Sequence, residues 1–176
     1  MRRFLTRACA ILTPARSTRT RVFVGAQVWL TCAACAGHNI AGSQVKDTRE
    51  NREIIEVIEA YRRAAEQRDV DAVLALVARD TYYEDGGTPN TNDDYGYSGL
   101  EARLREYFKI TKQLHLTISV QNVTRKENQV EADHHYTLRY EVDLPTGSTW
   151  KTTEDDDRFV LTHDKASGRW FFVAGL

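Results

Sequence analysis

The sequence predicts an α+β domain in which helices come first and an antiparallel sheet follows. Apolar residues recur at helical spacing over residues 54–77, and apolar and polar residues alternate one by one over much of residues 114–142. Helices followed by strands are typical of α+β domains. Because the chain has 176 residues, it is long enough for one such domain. We expect the curved sheet to wrap around one long helix as a cone, with a pocket at its open end.

The first two helices are predicted from their caps and apolar stripes. Asp47 has a carboxylate three residues later, at Glu50, which is a capping-box arrangement. An apolar face then follows at helical spacing, formed by Ile54, Val57, Ile58, Tyr61, Ala64 and Ala65. Asp69 is expected to cap a second helix with its own stripe, after which residues 81–84 have the composition of a short strand.

A polar loop over residues 86–97 separates this strand from a third helix. The loop is rich in glycine, asparagine and aspartate and is either a functional lid or a solvated connector. Ser98 and Glu101 form a second capping box. The helix that they open has an apolar inner face of Leu100, Leu104, Tyr107 and Phe108.

The remainder of the chain predicts an antiparallel meander. Alternation begins at Leu114 and is clearest over residues 130–142, where one face carries Val130, Ala132, His134, Tyr136, Leu138, Tyr140 and Val142. Turns are expected at residues 126–128, 145–148 and 165–168 because these segments are rich in glycine, proline and polar residues. They separate four strands, the last of which closes the sheet at residues 169–176.

The N-terminal segment differs sharply in composition from this domain. Residues 1–46 contain no acidic residue but carry six arginines, whereas the chain from Asp47 onward is acidic. A basic, acid-free leader before an acidic domain is typical of targeting sequences. We therefore divide the chain into a signal or leader segment (1–36), a flexible tether (37–47) and the globular domain (48–176).

The leader also contains an apolar run, over residues 22–34, that has the length of a signal-peptide hydrophobic region. The segment Ala33-Ala34-Cys35 resembles the end of a bacterial lipobox, which predicts lipid attachment at Cys35 and an exported, membrane-anchored lipoprotein. A small-x-small cleavage site at residues 34–36 would instead release a secreted or periplasmic soluble protein. The long arginine- and threonine-rich stretch before Val22 also suits an organellar transit peptide or a later true start.

Composition and motifs argue against several classes of function. The formal net charge is −1, so no general positive field is available for binding nucleic acid. All three cysteines lie in the leader, at Cys9, Cys32 and Cys35, which leaves the domain without a cysteine metal site. The histidines lack metal-ligand spacing, and no phosphate-binding or dinucleotide-binding glycine motif occurs. The sequence therefore predicts no metal and no cofactor, and contact with a membrane only through the lipid anchor.

The domain resembles the nuclear transport factor two-like superfamily, which includes SnoaL-like and ketosteroid isomerase proteins. The resemblance runs from about Ile54 to Leu176. It rests on AYRRAAEQRDVDAVLALVARD, YYEDGG, YSGLEARLREYF and DRFVL followed by GRWFFVAGL. It implies the cone-shaped fold that the periodicity suggests. The chain departs from the pattern mainly by its longer loop over residues 86–97.

The ketosteroid isomerase branch implies roles for three residues. Its helix-one tyrosine corresponds to Tyr61, eight positions before Asp69, and its general base corresponds to Asp85, sixteen positions after Asp69. Its hydrogen-bond-donating aspartic acid, in an Asp-x-Phe pattern, corresponds to Asp157. The branch usually has proline where this chain has Gly86. In that branch apolar surroundings keep the donating carboxyl group neutral, so the resemblance implies that Asp157 is buried.

Two hypotheses about function follow. In the first, the cone binds a small apolar molecule, with Tyr83, His134, Trp150 and Phe159 as ligand-binding residues. In the second, Asp85, Tyr61 and Asp157 carry out cofactor-free proton transfer next to a carbonyl group. His134 is either a second acid/base group or a hydrogen-bonded core residue. The exposed face of the sheet is polar, with Glu131, Thr137 and Arg139, so a homodimer formed there would have a polar interface.

Overall fold

Three helices and six strands make up the domain in a computed structural model, which describes residues 38–86, 89 and 91–176. Their order matches the predicted α+β arrangement and is as follows: α1 (Arg49–Gln67), α2 (Val70–Leu74), β1 (Tyr83–Glu84), β2 (Tyr95–Gly96), α3 (Tyr97–Ile110), β3 (Thr111–Lys126), β4 (Gln129–Leu144), β5 (Gly147–Asp164) and β6 (Arg169–Ala174).

Helix α1 carries the predicted apolar stripe but begins with a different cap. The N-cap is Thr48, whose hydroxyl accepts a hydrogen bond from the Asn51 backbone N–H at 3.2 Å. Asp47, the predicted cap, instead forms an ion pair with Arg52. At the other end Arg68 adopts the left-handed conformation, with φ 56°, and reverses the chain. Asp69 then caps α2 as predicted, accepting from the Ala72 N–H at 2.9 Å.

Helix α3 starts one residue before the predicted capping box. Its N-cap is Gly96, which offers no side-chain hydrogen bond, so the prediction that Ser98 caps this helix is wrong. The backbone just before the helix is already fixed, because Tyr95 and Gly96 pair with β1 in a two-stranded sheet. A chain that leaves a strand in this way can enter a helix without a side-chain cap.

The four long strands form one antiparallel sheet in the order β3-β4-β5-β6. Strand β4 pairs along its whole length with β5 and over residues 129–142 with β3, whereas β6 pairs only with residues 160–164 of β5. The predicted alternation is present in the burial of β4, where Val130, Ala132 and His134 are buried. We call the face that carries these residues the inner face, and the opposite face the outer face.

The core lies between α1 and the inner face of the sheet. Its most completely buried large side chains are Phe172, Ile54, Ile58, Leu161, Val73 and Val130. These come from α1, α2, β4, β5 and β6, so both helices and strands contribute. Burying an aliphatic or aromatic side chain of this size contributes about 1.5–3 kcal/mol, and this packing fixes α1 across the sheet.

Residues 38–47, predicted as a flexible tether, fold against the domain instead. Asn39 and Lys46 form an antiparallel bridge, and the Gln44 N–H donates to the main-chain oxygen of Val120 at 2.9 Å. Val45 is only 5% exposed and joins the core. The segment looked like a tether because it has only two large apolar residues, Ile40 and Val45, which are too few to show a periodicity.

The predictions for the leader concern residues outside the described part of the chain. They include the division at residues 1–36, lipid attachment at Cys35 and the alternative cleavage site. Among the residues that the structure does describe, no helix is long and apolar enough to cross a membrane.

Candidate functional site

A cavity of about 240 Å³ opens between α1, α3 and the inner face of the sheet. Its walls are mainly aliphatic and aromatic: Ala65, Leu104, Tyr107, Phe108, Leu114, Leu116, Ile118, Tyr136, Leu138, Phe159, Gly175 and Leu176. Tyr107 and Tyr136 also carry hydroxyl groups, and three further residues, Tyr61, His134 and Asp157, add another phenol, an imidazole and a carboxylate to this lining. A concave apolar site with a few polar groups is the usual form of a small-molecule site.

The three polar residues meet because of the strand register and the position of α1. His134 on β4 pairs directly with Asp157 on β5, and residues opposite each other in an antiparallel pair share a face, with Cβ atoms about 5 Å apart. Tyr61 reaches the same region from α1, where its ring packs edge-on against Phe159 and Phe172 at 5.7 Å in both cases. The fold therefore brings together two of the three predicted catalytic residues, Tyr61 and Asp157, with His134.

His134 is buried, with 3% of its surface exposed, and is stacked on Phe159 at a ring separation of 3.8 Å. Burial lowers its pKa below the ordinary value of 6.5, although the Ala132 carbonyl and the nearby carboxylates of Asp157 and Asp133 oppose the shift. Its Nδ1 lies 3.4 Å from the Ala132 carbonyl. If Nδ1–H donates there, Nε2 is left as a proton acceptor.

Asp157 lies at the edge of the cavity and is exposed to solvent. Its Oδ1 accepts a hydrogen bond from the Arg158 N–H at 2.7 Å. A carboxyl group that is to remain protonated and donate a hydrogen bond needs apolar burial, and this position does not supply it. The predicted donor role therefore lacks its physical basis here. Over residues 147–159 of the described sheet, β5 has no strand partner on the edge opposite β4.

The Asp157 carboxylate nevertheless affects the phenols around it. Burial first, and then Asp157, raises the pKa of Tyr61 to about 12. The same carboxylate contributes to raising the pKa of Tyr95 and of Tyr136, where burial is again the first cause. All three phenols are therefore neutral hydroxyl groups near neutral pH.

Asp85 and Tyr83 do not line the cavity. Both are exposed, Tyr83 by 55%, and they lie beside a shallow surface groove with Arg158 and Val160. The Tyr83 hydroxyl donates to the Asp94 carboxylate in the following loop. The structure thus separates the predicted general base and one predicted ligand-binding residue from the other site residues.

Glu84, between them, turns toward the inside of the domain and was missed in the sequence. Its Oε2 accepts hydrogen bonds from the Gly175 N–H and, at 3.4 Å, from the Tyr82 hydroxyl. It therefore holds the segment Gly175–Leu176, which forms part of the cavity wall. Alternation could not assign Glu84 to a face, because β1 contains only two residues and both Tyr82 and Tyr83, which precede it, are aromatic.

Trp150 lies on the outer face of the sheet and is 41% exposed. Its indole stacks on His115 at 6.1 Å, and the Arg139 guanidinium lies 4.7 Å from the ring centre. It does not line the cavity, unlike the predicted ligand-binding residues His134 and Phe159.

No grouping of three or more His, Cys, Asp or Glu side chains suited to a metal ion occurs in residues 38–86, 89 and 91–176. The residues that line the cavity include one acid and one histidine. A mononuclear protein site usually needs at least three ligands, so the described cavity residues do not form one by themselves.

Comparison with known proteins connects the domain to others by structure. Neither a protein-family model nor a curated protein matches the sequence. A candidate scytalone dehydratase from Novosphingobium aromaticivorans has a TM-score of 0.61 and 12% identity, over 72% of this chain and 80% of that one. A ketosteroid isomerase-like protein from Erwinia carotovora atroseptica has a TM-score of 0.58 and 17% identity, over 73% and 95%.

A conserved protein from Planctomyces limnophilus is similar in the same way, with a TM-score of 0.59 and 11% identity, over 72% of this chain and 92% of that one. These matches confirm the predicted fold: helices followed by a curved antiparallel four-stranded sheet, as in nuclear transport factor two-like proteins. Sequence identity this low shows the fold alone, and function does not follow from a shared fold.

Proposed function

We propose that this domain binds a small apolar molecule in the cavity between α1, α3 and the inner face of the sheet. The observation that carries the proposal is the lining, which is mainly aliphatic and aromatic and encloses about 240 Å³. At roughly 30 Å³ per water molecule, this equals the liquid volume of about eight waters. A compact ring with a short side chain fits that space and would gain from leaving water.

The ligand hypothesis can be tested by filling the cavity. Ala65 lines it from α1, and Ala65→Leu would insert three additional carbon atoms. We expect 2-phenylethanol, a neutral aromatic probe, to bind the wild type in calorimetric titration, and Ala65→Leu to weaken binding at least tenfold. Ala102→Leu is the matched control because Ala102 is exposed on α3 and lies outside the cavity.

Two results would contradict this proposal. One is the absence of saturable binding by the wild type, and the other is equal binding by the wild type and a folded Ala65→Leu variant. Circular dichroism of both variants would show that each substitution leaves the secondary structure intact.

A second candidate function is acid/base catalysis on the bound molecule. The observation that favours it is the grouping of a buried histidine, a carboxylate and a phenol at one cavity. His134 would be the base, because its lowered pKa keeps the imidazole neutral near neutral pH, and Tyr61 would donate a hydrogen bond to an oxygen on which charge develops. Asp85, the base implied by the family resemblance, has no such role in this candidate because it lies outside the cavity.

The catalytic candidate predicts a specific order among variants. With a panel of enones and hydroxylated aromatic compounds, His134→Gln would reduce turnover by about 10²-fold or more, a typical contribution of a general base. Asp85→Asn would leave turnover unchanged. Binding of a panel compound without turnover by the wild type would rule this candidate out for that compound. A large loss of turnover in Asp85→Asn alone would instead support Asp85 as the general base, the role that the family resemblance implies.

Export of the domain and lipid attachment at Cys35 are proposals supported by the basic, acid-free leader and its apolar run. Mass spectrometry of the membrane fraction tests both, since a lipidated peptide would begin at Cys35. A homodimer through the polar outer face is a further proposal. Its support is the exposure of that face along β5, and sedimentation measurements would test it.

A further inference from the structure

The charge distribution around the cavity is one-sided. Among the fifteen described residues that line it, Asp157 has the only acidic side chain, and none is lysine or arginine. The remaining side chain that could carry a positive charge is His134, and burial lowers its pKa. Near neutral pH the lining side chains therefore offer one negative charge and no positive one.

The basic side chains nearest in the fold are turned elsewhere. Arg158 follows Asp157 in β5, but its guanidinium bonds Asp133 at 2.6 Å and Glu131 at 3.2 Å. Arg103 on α3 lies 4.2 Å from the centre of the Tyr95 ring. Lys151 is on the same face of β5 as Asp157 but lies six residues away along the strand, or about 20 Å. This distance exceeds the Debye length of about 8 Å at physiological salt, so the two charges are screened from each other.

Aromatic residues line the same cavity as this carboxylate. Phe159 is two residues along the strand, Tyr136 is on the adjacent β4, and Tyr61 faces both from α1. After burial, Asp157 is the next cause that raises the pKa of Tyr61, whereas for Tyr136 burial and Asp155 come before it. The faces of aromatic rings attract cations, and a carboxylate beside them adds a direct electrostatic attraction, which is modest here because Asp157 is exposed to solvent.

We propose that the natural ligand of the cavity is an apolar amine, with its ammonium group against the Asp157 carboxylate and its apolar body among the aliphatic and aromatic side chains. This inference rests on the proposed ligand-binding function and narrows it to one chemical class. An anionic ligand would meet Asp157 with no compensating cationic side chain in the lining. A neutral ligand fits the apolar walls but makes no use of the charge.

A matched pair of probes tests the inference. 2-Phenylethylamine and 2-phenylethanol differ only in the terminal group, which is an ammonium at pH 7 in the first and a hydroxyl in the second. We expect the amine to bind the wild-type domain about two- to fivefold more tightly than the alcohol by calorimetric titration at low salt, in line with an exposed ion pair. Added salt should reduce this preference.

Two variants test whether the Asp157 carboxylate causes the preference for the amine. Asp157→Asn keeps the side-chain oxygen that accepts from the Arg158 N–H and removes the charge, so it should abolish the preference for the amine and leave alcohol affinity within about twofold. Glu154→Gln removes the same charge from the same strand, three residues away on the outer face and outside the cavity lining. It should leave most of the preference intact.

The outcomes separate this inference from the function on which it rests. Equal affinity for the two probes would overturn the amine assignment and leave the apolar ligand-binding function standing. Absence of binding by either probe would overturn both. A preference that survives Asp157→Asn, or that Glu154→Gln removes equally, would also overturn the inference, because it would then reflect the general acidity of the domain.

Discussion

His134 and His135 are adjacent in β4, yet they occupy opposite environments on the two faces of the sheet. His134 lies on the inner face, stacked on Phe159, and burial lowers its pKa. His135 lies on the outer face, 3.0 Å from Asp156 and 3.1 Å from Glu154, and these carboxylates raise its pKa. On the inner face desolvation controls ionisation, whereas on the outer face pairing with neighbouring charges does.

The same contrast separates the aromatic residues of β5. Phe159 is 3% exposed and joins the core, whereas Trp150 is 41% exposed and packs only against side chains of the outer face. Both were predicted to bind ligand, and only Phe159 lines the cavity. An aromatic residue in a strand is therefore informative about a site only when its face is known.

The largest effect on stability is expected from removing the ring of Phe159, with removal of the Trp150 ring as the comparison on the outer face. Phe159→Ala should lower the free energy of unfolding by about 3–5 kcal/mol, because it leaves a cavity among Tyr61, His134 and Phe172. Trp150→Ala should cost about 1 kcal/mol or less, since the indole is partly solvated already. Urea denaturation of both variants measures the difference, and equal losses would show that the two faces are not energetically distinct.

A smaller effect is expected where Gly175 brings the cavity wall against β5. Its φ is +94°, and a Cβ there would lie 2.2 Å from the main-chain oxygen of Arg158. Gly175→Ala should therefore lower the free energy of unfolding by about 2–3 kcal/mol, from both the left-handed backbone and the overlap. Gly168→Ala is the control, because Gly168 has φ +68° but open space around it. This substitution should lower the free energy of unfolding by only about 1 kcal/mol. Thermal unfolding of both variants measures the difference.

The smallest effect is the pH dependence that the two histidines add to stability, with opposite signs. Because the folded-state pKa of His134 is lowered, the unfolded state binds more protons, and stability should fall as the pH drops below about 6.5 toward that pKa. Because the folded-state pKa of His135 is raised, its contribution is complete below about pH 6.5 and is lost as the pH rises through that pKa.

An NMR titration of the two imidazole rings measures both directions. The carboxylates that act on His134 are those of Asp157, Asp133 and Asp156, and those that act on His135 belong to Asp156 and Glu154. His135→Gln should remove the loss of stability on the alkaline side alone. Identical midpoints for the two histidines would contradict the distinction between the faces.

Much of the site was predictable from strand alternation. The pattern over residues 130–142 assigned His134 to the inner face, and the structure has it there. The same rule could have excluded Trp150, because it lies nine positions from Phe159 and an odd separation in one strand means opposite faces. The error came from counting aromatic residues as a group without following their alternation.

The error at Asp85 has a different cause. Strand β1 contains only Tyr83 and Glu84, which is too short for periodicity to assign a face. Its orientation depends on contacts distant in sequence: the Tyr82 hydroxyl donates to the main-chain oxygen of Leu176 at 2.8 Å, and the Gly175 N–H donates to Glu84. These contacts turn Glu84 inward and leave Asp85 outside.

The sequence by itself determined the α+β class, the long helix and the alternation of the long strands, because these depend on local periodicity and on where apolar residues recur. Tertiary structure alone decided which polar residues share a cavity. Strand register aligned His134 with Asp157, the packing of α1 brought in Tyr61, and the short β6 left Asp157 at a solvent-exposed edge. Alternation assigns a side chain to a face, but the residue opposite it on the next strand depends on the geometry of the turn that sets the register, and the exposed edge depends on how far β6 extends.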